Sequence, residues 1–169
     1  MAGESSIFLV DPESNPVAVK IVGRASFQNV LPLKDFLKDS YAVGKRRFVF
    51  DFSECAGMDS TVLGVLAGCA LELRKLEPRG SLVLSRLSER NRDLVRNLGL
   101  HRIATVDDGA SAPKVESADQ GLDKAAPLDE LSNARLCLEA HENLIEADAE
   151  NKSKFQDVID YLKGRVDEG

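Results

Sequence analysis

The sequence predicts an α/β fold: a mixed sheet of about four to five strands covered by helices, with a C-terminal helical extension. Three observations carry this. Short β-branched and aromatic runs alternate with amphipathic segments between Ile7 and Val106, the rhythm of parallel βαβ units. The first two runs are joined by turn formers, so an antiparallel hairpin forms one edge of the sheet. Beyond Val106 the strand signals stop, and both charge and composition change.

Each element follows from its residues. Ile7-Phe8-Leu9-Val10 closes on Asp11-Pro12, and the run from Pro16 to Val22 closes on Gly23, which gives the hairpin. Asn29 to Lys38 sets Val30, Leu33, Phe36 and Leu37 on one helical face, and Pro32 has to fall in the first turn. Arg47 to Asp51 is nearly all apolar, as expected of a central strand covered on both faces. A short loop then leads to Met58-Asp59-Ser60-Thr61 and a helix from Ser60 to Lys75. Its small residues Gly64, Ala67, Gly68 and Ala70 let it sit close to a neighbour, and Pro78-Arg79-Gly80 stops the chain. Ser81 to Leu84 is a strand, Ser88 caps a helix ended by Gly99, and Ile103 to Val106 is a last short strand.

These breaks divide the chain into a domain over 1–106, a flexible linker over 107–127 and an acidic amphipathic helical tail over 128–169. Asp107 to Pro127 is rich in Asp, Ala, Ser, Gly, Lys and Pro, with almost no apolar periodicity. In the tail, Leu131, Leu138, Ile145 and Ile159 recur at multiples of seven, but Asp148 and Lys152 interrupt the stripe. A helix or helical pair is expected, with an apolar face that needs a partner surface. Residues 1–106 carry 15 Lys+Arg against 12 Asp+Glu, a net +3, whereas residues 107–169 carry 7 against 16, a net −9. The tail is therefore expected to fold back on the domain or to pair with a second chain as a homodimer.

Composition excludes several classes. No apolar run approaches the roughly 20 residues of a membrane span, and the first residues lack the pattern of a secretory leader or a myristoylation site. Cys55, Cys69 and Cys137 form no metal-ligand cluster and no CxxC pair, which fits free thiols in a reducing cytoplasm; Cys55 lies in the loop before Ser60, where exposure is open to it. No cofactor or metal is expected: phosphate-cradling glycine motifs are absent. His101 and His141 accompany no nucleophile motif, so both read as structural or solvated and no enzyme is expected. Arg79, Arg86, Arg90, Arg92, Arg96 and Arg102 lack the aromatic interleaving of a nucleic-acid surface.

The remaining candidate is Asp59-Ser60-Thr61. On its own it fits ordinary helix capping as well as a regulatory hydroxyl. Its surroundings add to this. A strand ending in Asp51, then Met58-Asp59-Ser60-Thr61-Val62-Leu63-Gly64, with Leu98-Gly99-Leu100 and Ile103 further on, resembles the STAS domain of bacterial anti-sigma factor antagonists over roughly residues 7–106. Val62 stands where that family usually has Gly, and Ser26 where it commonly has Asp.

The resemblance implies that Ser60 accepts a phosphate, with Thr61 as a second acceptor. It implies a partner surface formed by Asp51, Ser53, Met58, Asp59, Ser60, Thr61, Val62 and Ser26. The implied partners are an anti-sigma factor that is also a serine kinase, and a phosphatase, all in the cytoplasm. The kinase brings the ATP, so the chain needs no catalytic residue. The alternative is a non-phosphorylated STAS scaffold subunit of a signalling or lipid-transport complex; a small-ligand sensor is a more distant third.

Overall fold

Alternation along the strands decides which face of the sheet meets the helices. In β2 (Val17–Ala25), Val17, Val19 and Ile21 enter the main core, as do Phe48, Phe50 and Phe52 of β3 (Arg47–Met58) and Leu82 and Leu84 of β4 (Ser81–Ser85). The intervening Ala18 and Val49 point the other way and meet Ala118 and Val83 in a small second cluster. The structure, a computed structural model, describes residues 6–107, 117–123 and 126–168.

β1 (Phe8–Asp11), β5 (Thr105–Asp107) and β6 (Gln120–Gly121) complete a six-stranded sheet in the order β5-β4-β3-β2-β1-β6. β1 runs antiparallel to β2 and β6, and the β2-β3-β4-β5 pairings are parallel. α1 (Leu31–Ala42), α2 (Ser60–Lys75) and α3 (Glu89–Asn97) supply Leu33, Leu37, Leu63, Leu66, Leu73 and Val95 to the main core. Pro32 lies in the first turn of α1, and Ser88 caps α3 by accepting from Asn91 N at 3.1 Å. The sheet and helix order agree with the mixed α/β fold expected from the sequence.

Two strands depart from the sequence reading. β3 was expected to stop at Asp51 but runs to Met58, because β2 continues beside it to Ala25; two register shifts keep the pair in step. Exposed Ser53, Glu54 and Ala56 break the apolar run that a strand reading looks for, and Glu54 pairs with Lys20 of β2. β6 falls inside the segment expected to be a flexible linker. Two residues are too few to leave a strand signal, yet they add a sixth strand beside β1, and Ala118 just before them is buried. Residues 108–116 and 124–125 of that segment lie outside the described residues.

The tail forms a helical pair, α4 (Glu130–Ala147) and α5 (Asn151–Glu168). Asp129 caps α4 by accepting from Ser132 N at 2.7 Å, and the extended backbone at Asp148 ends it. Asp148 then accepts from Glu150 N through its carboxylate and from Asn151 N through its carbonyl, which turns the chain into α5. The face of α4 that is buried carries Leu136, Ala140 and Leu144, spaced by four, while Leu131, Leu138 and Ile145 of the heptad stripe are only half-buried. Among the described residues no helix is long and apolar enough to cross a membrane.

Candidate functional site

Asp59 organises the start of α2. One of its carboxylate oxygens accepts from Val62 N at 3.0 Å, satisfying a first-turn N–H that has no helical partner. The other accepts from Phe27 N at 2.8 Å, tying in the loop that follows β2. Ser26 stands in that loop, its N–H donating to Asn29 Oδ1 and its Oγ accepting from Gln28 N. Ser26 and Ser60 therefore flank the same carboxylate. Ser60 is the first residue of α2 and is half-buried.

α4 lies across α2. Glycines at Gly64 and Gly68 make the crossing close: a Cβ on Gly64 would overlap the Ala140 backbone, and one on Gly68 would meet the Asn143 amide. Asn143 in turn donates to the Gly64 carbonyl at 3.3 Å. This crossing brings His141 to Ser60, with Nε2 and Oγ 2.9 Å apart. His141 is 5% exposed, and its Nδ1 lies 2.6 Å from the Cys137 carbonyl. A carbonyl only accepts, so Nδ1 carries the hydrogen and, in the neutral ring, Nε2 offers a lone pair. With the ring neutral, the Ser60 hydroxyl donates to His141. The Phe155 ring of α5 packs edge-on against the imidazole, centroids 5.0 Å apart. Ser60, Cys137, His141 and Phe155 line a shallow groove bordered by Asp157, Val158, Tyr161 and Leu162.

The other residues of the expected partner surface are distributed unevenly. Asp51, Met58, Thr61 and Val62 are buried. Asp51 accepts from Ser53 N at 2.8 Å, so it shapes the backbone of β3. Thr61 donates to the Cys137 sulfur at 3.6 Å. Ser53 is exposed, and Asp59, Ser60 and Ser26 are half-buried around one loop junction. Cys55 is buried as well, its thiol donating to the Gly57 carbonyl. The open position allowed for it by the loop reading is lost because β3 continues through it.

His141 is the site residue that sequence reasoning missed. It stands 81 positions after Ser60, and nothing local marks it. The small-residue step Gly64-x-x-x-Gly68 was the available signal: it announced a close neighbour without naming α4. Among the described residues no group of three His, Cys, Asp or Glu is arranged to hold a metal ion.

Residues 8–106 match the family model described as Mlab, STAS domain. The chain belongs to the STAS domain family. Among solved structures it is similar to a candidate anti-sigma factor antagonist of Thermotoga maritima, with 19% identity and a TM-score of 0.50, over 63% of this chain and 88% of that one. It is also similar to the Bacillus cell fate determinant SpoIIAA in its phosphorylated form, with 19% identity and a TM-score of 0.51, over 65% of this chain and 95% of that one. At these identities the likeness bears on the fold. No curated protein matches the chain.

The α4–α5 hairpin lies outside the matched STAS segment and is joined to it by charge and by packing. Lys34, Lys75 and Arg102 of the STAS domain pair with Glu139, Glu146 and Asp148 of the tail. This is the complementarity that the +3 and −9 halves required, although the contact centres on α2 rather than on the arginine-rich α3. The two lysine pairs are largely exposed and contribute about 0–1 kcal/mol each. The burial of Leu136 and Leu144 against the main core, with Ala140 packed on Gly64, is the stronger hold. The thiols near this seam are held in the protonated form by their environment. Burial pushes Cys137 above the ordinary thiol range and Cys69 up to about 12.

Proposed function

We propose that this STAS domain is a protein-binding module of the anti-sigma factor antagonist kind. In this reading it holds an anti-sigma factor, itself a serine kinase, while Ser60 is unmodified, and lets go when Ser60 is phosphorylated; a phosphatase resets it. Thr61 is a weaker second acceptor, because its hydroxyl is buried. The observation that carries the reading is Ser60 at the first position of α2, half-exposed beside the Asp59 cap. A phosphate there meets the helix N-terminus, where negative charge is favoured, so the fold tolerates it. It adds about −1.5 to −2 charges, which a docked partner has to accommodate. The ATP and the transfer chemistry belong to the kinase, so the module works in the cytoplasm with no cofactor and no catalytic residue of its own. In the same reading residues 1–106 form the binding domain, 107–127 the connection and 128–169 a tail that shapes access to Ser60.

The Ser60–His141 bond favours a second reading, a STAS scaffold subunit of a signalling or lipid-transport complex that is never phosphorylated, because the hydroxyl is already engaged within the chain. One experiment separates the two. Unmodified protein is used to capture its partners from the source cell, identified by mass spectrometry. Wild type and Ser60→Ala are then incubated with the captured kinase and ATP. The switch reading expects phosphate on Ser60 of wild type and none on the variant. Equal labelling of both, with phosphate elsewhere, would sink it; partners without a kinase would support the scaffold.

A further inference from the structure

Phosphorylation inverts the hydrogen bond that Ser60 makes. The unmodified hydroxyl donates to the Nε2 lone pair of His141. A phosphoserine has only acceptor oxygens to offer when ionised, so an acceptor would face an acceptor in a half-buried seam. Two outcomes resolve this: the imidazole takes a proton and becomes the donor, or the hairpin carrying it moves away.

We propose that His141 takes the proton and becomes the counter-ion of phosphorylated Ser60, so that modification fastens the α4–α5 hairpin to the STAS domain. The proposal rests on the reading of Ser60 as a phospho-acceptor. Three features favour fastening over release. The imidazole is held from both sides, by the Cys137 carbonyl at Nδ1 and by the Phe155 ring. Protonating it leaves the Nδ1 bond intact, since Nδ1 already donates. Release would expose Leu136, Ala140 and Leu144, and would abandon the bond that Asn151 makes to the Leu98 carbonyl. Protonating the imidazole in place keeps these contacts, whereas stripping that seam costs the core of the hairpin.

The titratable groups around His141 do not substitute for it. Asp59, ahead of α2, has both carboxylate oxygens engaged, and Asp157 and Tyr161 border the groove from α5. The Cys137 thiol is held neutral by burial. Both carboxylates repel a phosphate, so an imidazolium is the cation available in the groove lining.

The test installs phosphoserine at position 60 during synthesis, using an expanded genetic code, so no kinase enters. Nitrogen NMR of the imidazoles, with the His141→Gln variant identifying the resonance, follows His141 against pH with and without phosphate. Amide hydrogen exchange of α4 and α5 is measured on the same samples. Fastening expects His141 to stay in its imidazolium form to a pH at least one unit higher in the phosphoprotein, with hairpin amides exchanging as slowly as, or more slowly than, in the unmodified chain. In the phosphorylated His141→Gln chain, hairpin exchange should be at least several-fold faster than in phosphorylated wild type. An unchanged His141 titration, or rapid exchange throughout α4 and α5 of the phosphoprotein, would overturn the proposal. Failure of a kinase to modify Ser60 in the earlier experiment would leave this result standing, so the two can fail separately.

Discussion

Gly64 of α2 and Ala140 of α4 pack backbone to backbone, with no room between them for a methyl group. Gly68, one turn on, faces only the end of the Asn143 side chain. This difference sets a contrast. Gly64→Ala should push α4 off α2 and cost about 1–3 kcal/mol through overpacking. At Gly68 the Asn143 amide can swing aside at the cost of its bond to the Gly64 carbonyl, and the gain in helix propensity of up to about 1 kcal/mol offsets much of that loss. Denaturant midpoints of the two variants check this; equal losses would mean that the crossing is looser than described.

Ser60→Asp should fold normally and bind its partner more weakly. A carboxylate at the first position of α2 is neutral or stabilising by about 0.3–1 kcal/mol, but it carries only part of a phosphate's charge, so the binding loss is expected to be partial. Thermal unfolding and partner titration, run side by side, check both halves. A large fall in melting temperature would assign the effect to folding instead.

Asn151 fastens the corner of the hairpin. Its buried Nδ2 donates to the Leu98 carbonyl at 2.9 Å and to the Leu144 carbonyl at 2.7 Å. Asn151→Ala takes the donor from the Leu98 carbonyl, while the Leu144 carbonyl keeps Asp148 N, and a loss of about 1–3 kcal/mol is expected. Asn151→Asp preserves the shape but presents no N–H, so it should not restore stability. Urea unfolding of the three proteins decides the matter, since rescue by Asp would show that packing and not donation is what counts.

Alkali should destabilise the fold early. Burial lifts Cys69 from an ordinary 9.0 to about 12 and raises Tyr41 beside it. The folded state therefore holds a proton that the unfolded chain releases. The contribution is fully present below about pH 9 and is lost as pH climbs toward 12, at no more than about 1.4 kcal/mol per pH unit for one group. Unfolding midpoints measured from pH 8 to 11 should fall, and Cys69→Ala should flatten the slope. A variant with the same slope as wild type would exclude Cys69 as a source.

Much of the STAS domain was legible because its signals are local. The β1–β2 hairpin, α2 from Ser60 to Lys75 and the Ser88 cap each follow from neighbours in sequence. The end of β3 was not, because its later residues are held by register with β2 rather than by their own hydrophobicity. β6 was hidden because two residues beside β1 are too few to leave a strand signal. The site divides in the same way. Ser60 and its Asp59 cap are local and readable, whereas the approach of His141 depends on how α4 crosses α2. The tail's heptads suggested an apolar seam, but the face that packs is the one that fits two glycines, and a periodicity count cannot see the partner's shape.

β5 and β6 lie at opposite ends of the sheet, and the hairpin follows β6 in the chain. From β6 only residues 122–129 lead to α4, a leash of roughly 30 Å even when fully drawn out. A hairpin that swings off α2 thus stays at an effective concentration of roughly millimolar. Exchange of hairpins between two molecules would require both sheets to come within that reach while both seats are empty. At ordinary concentrations each chain recaptures its own helices first, so domain swapping is disfavoured by the position of a two-residue strand.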